Sequence, residues 1–261
     1  MNGIVFRMNE FIAQSDQRSL IIDTSAGIAL GALPGLEDFN QAVRPLLPLA
    51  DGVVCSPGQM RRLTAATRHG AQHHAGLLMR MDWSNTLRGA DFVLPPEHAR
   101  QFQIFSAQDA LDFGATGMVL TFLLGYEEEI EAACLKATVT LSLTGKDLGL
   151  PLVVEVKPSG PRVSLPNKAV ELGASYALEG GADVIVIPYP GAASLKTIGE
   201  MVSVPWLIKP GQWEQAAEQM DEAIQYGAAG LWLDHTLFAL PDPAGTLTGL
   251  RNRLHVVQTV R

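Results

Sequence analysis

The chain is expected to fold as an α/β protein, a single-domain (β/α)8 TIM barrel spanning residues 1–261. Three observations lead there. Short apolar runs recur along its length, each followed by a turn and then a stretch of helical period, which is the pattern of βα units around a parallel sheet. There are eight such runs, and eight favours closure over an open sheet. With 47% apolar and 18% charged side chains, and with Gly and Pro scattered rather than pooled in a linker, one compact body accounts for 261 residues better than two.

Taken in order, the first run is SLIIDTSAG (19–27). The first helix is GLEDFNQAVRPLLPLA (35–50), which Pro45 and Pro48 break or kink. The second and third runs are DGVVCSPG (51–58) and AGLLMRMDW (75–83). From Asp82 to Ser106 the periodicity fails, and LPPEHARQF reads as an irregular loop with a short helix over the third strand. The fourth run, TGMVLTFLLG (116–125), leads into YEEEIEAACLKATVTLSLTGKDLG (126–149), a helix with acidic residues in the first turn, where its dipole favours them. PLVVEVKPSG (151–160) is the fifth run, followed by the helix NKAVELGASYALEGG (167–181) with its terminal glycine stop. The sixth and seventh are GADVIVIPYPG (181–191) and PWLIKPG (205–211). A helix over QWEQAAEQMDEAIQYG (212–227) precedes the eighth, AGLWLDHTLF (229–238).

Charge and composition exclude several functions. The net charge is −8 and no basic run exceeds Arg61-Arg62, so neither nucleic acid nor an anionic membrane is an expected partner, and a small molecule is. Cys55 and Cys134 stand in apolar contexts without metal or redox spacing, which argues against a disulfide framework and for a reducing cytoplasm. The opening MNGIVFRMNEF lacks the pattern of a secretory signal, and no window approaches the roughly 18 apolar residues of a membrane span. A soluble cytoplasmic protein is expected, and the low charge fraction hints at surface hidden in a homo-oligomer. His69 and His73 lie four apart, but Gly70 stands between them and no glutamate follows His69, so no metal site is expected. PSGPR and PYPG lack the spacing of a phosphate loop or dinucleotide fingerprint, and no cofactor is expected.

In a barrel, function gathers where the strands end. Those ends supply Asp23 and Ser25, Ser56, Arg80 and Asp82, Glu155 and Lys157, Tyr189, Lys209, and Asp234 with His235. Of the six lysines, Lys136, Lys146, Lys168 and Lys196 fall in helical or turn segments, whereas Lys157 and Lys209 each close an apolar run and precede Pro. Alternation puts Glu155 on the same strand face as Lys157. A lysine walled by apolar residues and near another cation loses proton affinity, and its neutral amine can attack a carbonyl to form a Schiff base. The competing expectation is structural, with Lys157 or Lys209 paired to Glu155 or Asp23. Asp23 and Glu155 are the candidate proton-transfer groups, although Asp23 also suits a turn cap for TSAG. Ser25, Arg80, Asp82, Tyr189, Asp234 and His235 are candidate substrate-binding residues, with His235 either polarising a substrate oxygen or capping the last strand. A divalent ion among Asp23, Glu155, Asp234 and His235 would be opposed by two lysines in the same cavity.

LIIDTSAGIALGALPGLEDF, LPLVVEVKPSGPR, GGADVIVIPYPG and VPWLIKPG, in that order, resemble the class I aldolase superfamily of archaeal-type fructose-bisphosphate aldolases, related thiolases and deoxyribose-phosphate aldolase. The resemblance runs from about Leu20 to Val257. It implies a (β/α)8 barrel that works through a lysine Schiff base in the strand after GAD, and the matching position here is Val186. The tyrosine of the family's Tyr-Pro-Arg-Gly motif matches Lys157, and the aromatic position two before it matches Glu155. The first-strand aspartate is kept as Asp23, and Lys209 resembles the second lysine of the deoxyribose-phosphate branch, which lowers the pKa of the nucleophile there. The family's phosphate-binding segments match KPGQ and Asp234-His235, where an aspartate would repel a phosphate. The resemblance also suggests an assembly of subunits.

Two functions follow. One is a diverged Schiff-base lyase acting on a C–C bond of a small, non-phosphorylated, sugar-like carbonyl compound, with the amine relocated to Lys157 or Lys209. The other is an aldolase-like barrel without aldolase activity, a ligand-binding or scaffold subunit. Lysine amines gathered around an open cavity favour the first, and amines closed in salt bridges the second.

Overall fold

The computed structural model describes residues 3–67 and 75–255, apart from the side chains of 64–67. His69 and His73 therefore lie outside the described residues. The strands are β1 Ser19–Asp23, β2 Gly52–Cys55, β3 Gly76–Arg80, β4 Asp82–Ser84, β5 Gln101–Gln103, β6 Gly117–Leu124, β7 Leu152–Pro158, β8 Val184–Pro188, β9 Trp206–Lys209 and β10 Gly230–Leu233. The helices are α1 Gly3–Met8, α2 Gly27–Leu30, α3 Phe39–Val43, α4 Pro57–Thr67, α5 Ala107–Asp112, α6 Glu128–Leu148, α7 Pro166–Glu179, α8 Ala192–Met201, α9 Ala216–Gln225 and α10 Pro243–Leu254.

All eight apolar runs are strands of one closed parallel barrel, in the order β1-β2-β3-β6-β7-β8-β9-β10, with β10 returning to β1. The predicted (β/α)8 fold is thus observed. Closure depends on Gly230, at φ 150°, where an added Cβ would lie 2.0 Å from the Ser19 carbonyl oxygen on the neighbouring strand. The two strand faces build two apolar layers. Outward residues such as Leu20, Val53, Leu120, Val154, Ile185 and Ile208 pack under the helices. Inward residues Ile21, Val54, Leu78, Val119, Val153, Val184, Leu207 and Trp232 fill the barrel, with Phe11 and Ile12, from the segment before β1, packed into the same cluster.

Local sequence explains the helices. α6 carries Glu128, Glu129 and Glu131 in its first turn and Lys146 in its last, and stops on Gly149 at φ 69°. Pro45 and Pro48 act as expected, since α3 ends at Val43 and continues only as a 3-10 turn over Arg44–Leu49.

One expectation is corrected. Residues 82–106 contain no short helix over the third strand; they form a rim ribbon in which β4 and β5 pair antiparallel, Asp82 opposite Gln103 and Ser84 opposite Gln101. Asn85 ties its base, donating to the His98 carbonyl at 2.8 Å and accepting from the Arg100 amide at 2.7 Å. Trp83 stacks on Phe102 at 6.5 Å, and the Arg88 guanidinium lies 5.3 Å above Trp83. Strands of three residues are too short for alternation to reveal, so closure by a side chain on backbone up to fifteen positions away decides this segment.

Candidate active site

Above the apolar filling, the inward face turns charged. Alternation carries Ile21 to Asp23, Leu78 to Arg80, Val119 to Thr121, Val153 to Glu155 and Lys157, Val184 to Val186 and Pro188, and Leu207 to Lys209. Asp23, Arg80, Thr121, Glu155, Lys157 and Lys209 open into a cleft of about 100 Å³ that also receives Ser25, Asp82, Asp234, His235 and, from the rim ribbon, Ser84.

Arg80 is the hub of the cleft. Its Nη2 donates to Asp23 Oδ2 at 2.5 Å and to Glu155 Oε2 at 2.9 Å, its Nη1 to Thr121 Oγ1 at 2.8 Å, and its Nε to Ser25 Oγ at 3.0 Å. The guanidinium is 6% exposed, so it survives burial only because three carboxylates surround it; burial opposes its charge, and Asp23, Glu155 and Asp82 together raise its pKa above the ordinary arginine value. Ser25 belongs to the same lattice, with its amide at 2.8 Å and its hydroxyl at 2.6 Å donating to Asp23 Oδ1. Asp23 therefore both caps the turn and clamps Arg80. Thr121 is a site residue that the sequence reading passed over, although its inward register with Val119 inside an apolar run was a usable signal.

Asp82 sits lower, 2% exposed, accepting from the Thr121 amide at 3.0 Å and from Gln101 Nε2. Burial raises its pKa, and Arg80, 3.8 Å from Oδ1, only partly opposes this. Gln101 comes from the ribbon and was not foreseen.

The two lysines differ. Lys209 Nζ lies 3.1 Å from Asp234 Oδ2 and 3.6 Å from Glu155 Oε1. Burial works against its charge, but Glu155, Asp234 and Asp23 more than offset that and hold its pKa above the usual lysine value. Lys157 Nζ makes no ion pair or hydrogen bond among the described residues, yet it lines the same cleft. Burial pushes the Lys157 ammonium down to about 8, with Lys209 and Arg80 adding to the fall and Glu155 opposing it. Glu155 itself would be raised by burial, but Arg80, Lys209 and Lys157 hold it below its ordinary value.

The remaining candidates are distributed as follows. Asp234 caps the 3-10 turn His235–Ala239, accepting from the Thr236 amide at 3.0 Å; burial would raise its pKa, and Lys209 with Thr236 lowers it. His235 opens that turn and lines the cleft. Tyr189 lines a neighbouring cavity, while its hydroxyl donates to Glu222 on α9, away from the lysines. Burial and the Glu222 carboxylate raise that phenol to about 12. Ser56 stays behind the strand ends, with its amide donating to Gln59 Oε1 at 2.8 Å. Val186 is buried in the barrel filling at 1% exposure, directly in register with Glu155 on β7 and Leu207 on β9. Among the described residues no three His, Cys, Asp or Glu side chains are grouped to hold a metal ion.

No protein-family model matches the chain. It is 26% identical over 260 residues to the 2-amino-3,7-dideoxy-D-threo-hept-6-ulosonate synthase of Halobacterium salinarum, covering 97% of this chain and 92% of that protein. It is 23% identical to the 3-hydroxy-5-phosphonooxypentane-2,4-dione thiolase of Photorhabdus laumondii, covering 97% and 82%. Among solved structures, an archaeal fructose 1,6-bisphosphate aldolase superposes with a TM-score of 0.77 at 20% identity over 96% of this chain and 98% of that one. A Schiff-base-forming fructose-1,6-bisphosphate aldolase does so with a TM-score of 0.78 at 20% identity over 97% and 100%. The relatives and structural neighbours are aldolase-type barrels, which bears out the resemblance read from the sequence, at considerable divergence.

Proposed function

We propose that the protein is a lyase of the class I aldolase type, making or breaking a C–C bond of a small carbonyl substrate through a Schiff base on Lys157. The observation that carries this is the state of the Lys157 amine: without an ion pair or hydrogen bond among the described residues, in an open cleft, and with its pKa brought down to about 8. Near neutral pH a useful fraction of it is the free base, whereas Lys209 stays an ammonium tied to two carboxylates.

The chemistry follows from those states. The Lys157 lone pair attacks the carbonyl carbon, the π electrons move to oxygen, and loss of water leaves an iminium cation. In the cleavage direction a base takes the proton of the β-hydroxyl, the C–C bond breaks, and its electrons flow into the iminium to give an enamine and a free aldehyde. Protonation of the enamine carbon and hydrolysis then release the second product. Glu155, two residues from Lys157 on one strand face, and Asp234, held by Lys209, are the carboxylates placed for these transfers. Asp23, engaged through both oxygens, holds Arg80 and through it Glu155. Lys209 adds a fixed positive charge that favours the neutral amine.

The carboxylates at the cleft support a substrate without phosphate, because Asp234 stands where the resemblance puts an anion-binding pair. Free, buried Cys55 and Cys134 support a reducing cytoplasm. The exposed stripe Leu135, Val139 and Leu143 on α6 supports a homo-oligomer. The closed cluster of Asp23, Arg80 and Glu155 favours a second reading, a ligand-binding barrel without catalysis.

Borohydride reduction in the presence of a panel of aldoses, ketoses and keto acids separates the two. Mass spectrometry is expected to find a reduced adduct on Lys157, retained in Lys209→Ala and lost in Lys157→Ala. An adduct on Lys209, or none across the panel, overturns the proposal.

A further inference from the structure

Two cavities meet at the lysines, and their walls differ in kind. One is the cleft already described, which carries the charged and hydroxyl groups of Asp23, Ser25, Arg80 and Asp234 beside Ala26, Ile28 and Leu87. The other, about 350 Å³, lies over the ends of β7 and β8 and is walled by Pro158, Pro166, Val170 and Pro188, with Val186 in its floor. Glu155, Lys157 and Lys209 line both.

From this arrangement we infer that the substrate is a β-hydroxy ketone of two unlike halves, an apolar aryl or branched-alkyl group on one side of the carbonyl and a hydroxylated, uncharged fragment on the other. The inference rests on Lys157 as the Schiff-base residue. With the carbonyl carbon at Lys157 Nζ, its two substituents must leave in different directions. The half that carries the β-hydroxyl needs a carboxylate to take its proton; Glu155 lines both cavities, whereas Asp234, the second carboxylate offered for these transfers, lines the charged cleft and not the other. The C–C bond that breaks therefore lies on that side. The other substituent is directed into the second cavity, whose wall is mostly proline, valine and isoleucine, with Ser159, Asn167 and Tyr189 as its polar side chains besides the three residues it shares with the cleft. Val186 adds an apolar side chain to the floor of this cavity, between the ends of β7 and β9. Each methylene buried there strengthens binding about fourfold.

The test compares borohydride trapping at pH 8 by 4-phenyl-2-butanone, 4-methyl-2-pentanone, dihydroxyacetone and dihydroxyacetone phosphate, in the wild type and in two variants that fill the lobe. Asn167→Trp adds bulk from an exposed position at the start of α7, and Val186→Met from the floor, so one survives if the other misfolds. The expected result is half-trapping by 4-phenyl-2-butanone at a concentration at least tenfold below that of dihydroxyacetone phosphate. The fillers should raise it at least tenfold while leaving dihydroxyacetone within twofold, a comparison in which intrinsic carbonyl reactivity cancels. Equal effects of the fillers on both ketones, or preferential trapping of the phosphate, overturn the inference. If no ketone is trapped, the Schiff-base function fails, and the lobe is judged alone by ligand-observed NMR with 4-phenyl-2-butanol. Binding to wild type that Asn167→Trp abolishes sustains an apolar lobe, and equal binding or none to either overturns it.

Discussion

Lys209 Nζ faces Glu155 Oε1 at 3.6 Å across the intervening strand β8, while the other oxygen of the same carboxylate accepts from Arg80 at 2.9 Å. One carboxylate thus fixes two cations and leaves the third, Lys157, without a partner among the described residues. The proton affinities of the lysines follow from that geometry: the paired amine is held above the usual lysine value and the other falls to about 8.

Removing Lys157 should abolish adduct formation outright. Lys157→Ala is expected to lower carbonyl trapping by more than a hundredfold, because no other amine in the cleft is a free base at neutral pH. Intact-protein mass spectrometry reads this directly, and trapping that persists in the variant would move the nucleophile to Lys209.

The reactivity of Lys157 should rise with pH through about 8. Lys209→Met removes a cation and leaves Glu155 facing Lys157, and both changes move the titration up toward the ordinary lysine value of about 10.4. Asp234→Asn makes the cleft more positive and moves it down. Competitive acylation against pH, quantified on the Lys157 peptide, measures both shifts without knowing the substrate. A downward move in Lys209→Met contradicts the electrostatic account. Since the folded state disfavours the Lys157 charge, stability should increase between about pH 8 and the unfolded value.

Arg80→Met leaves Asp23 buried without its ion-pair partner and Glu155 with Lys209 alone. A loss of about 3–5 kcal/mol is expected from urea denaturation. The triple variant with Asp23→Asn and Glu155→Gln should recover most of it. A loss within the roughly 0–1 kcal/mol of an exposed ion pair would mean the cluster is hydrated rather than structural.

At the end of α10, His255 bridges Asp16 at 2.8 Å and Asp51 at 2.9 Å, and Asp51 also accepts from the Leu20 amide and from Arg251. The Asp51 hydrogen bond, against burial, raises the imidazole pKa. Its stabilisation is therefore fully present below the unfolded value of about 6.5 and lost as pH rises through the folded one. His255→Ala should cost about 1 kcal/mol at pH 6 and less at pH 9, read from melting temperatures at the two pH values. An equal cost at both would assign the effect to packing.

The barrel was legible because eight short apolar runs bounded by glycine, proline and polar turns have few ways to bury both faces, and closing a parallel sheet is the simplest. The strand-end residues were legible for the same reason, since a period of two fixes which side chain faces inward once the strand is known. The rim ribbon was not, because its pairing is made by contacts between Asn85 and residues more than a dozen positions away. Thr121 and Gln101 escaped notice because neither is ionisable, although both hold charged groups in place.

By itself, then, the sequence determined the architecture, the place of Asp23, Arg80, Glu155, Lys157 and Lys209 at strand ends, and the shared face of Glu155 and Lys157. Only the tertiary structure decided how those charges pair. Arg80 and Lys209 share Glu155, and Lys209 also takes Asp234, which leaves Lys157 without a partner among the described residues. The reason is physical: periodicity is a local property of the chain, whereas the proton affinity of a buried amine is set by the sum of charges and lost water that distant strands bring around it.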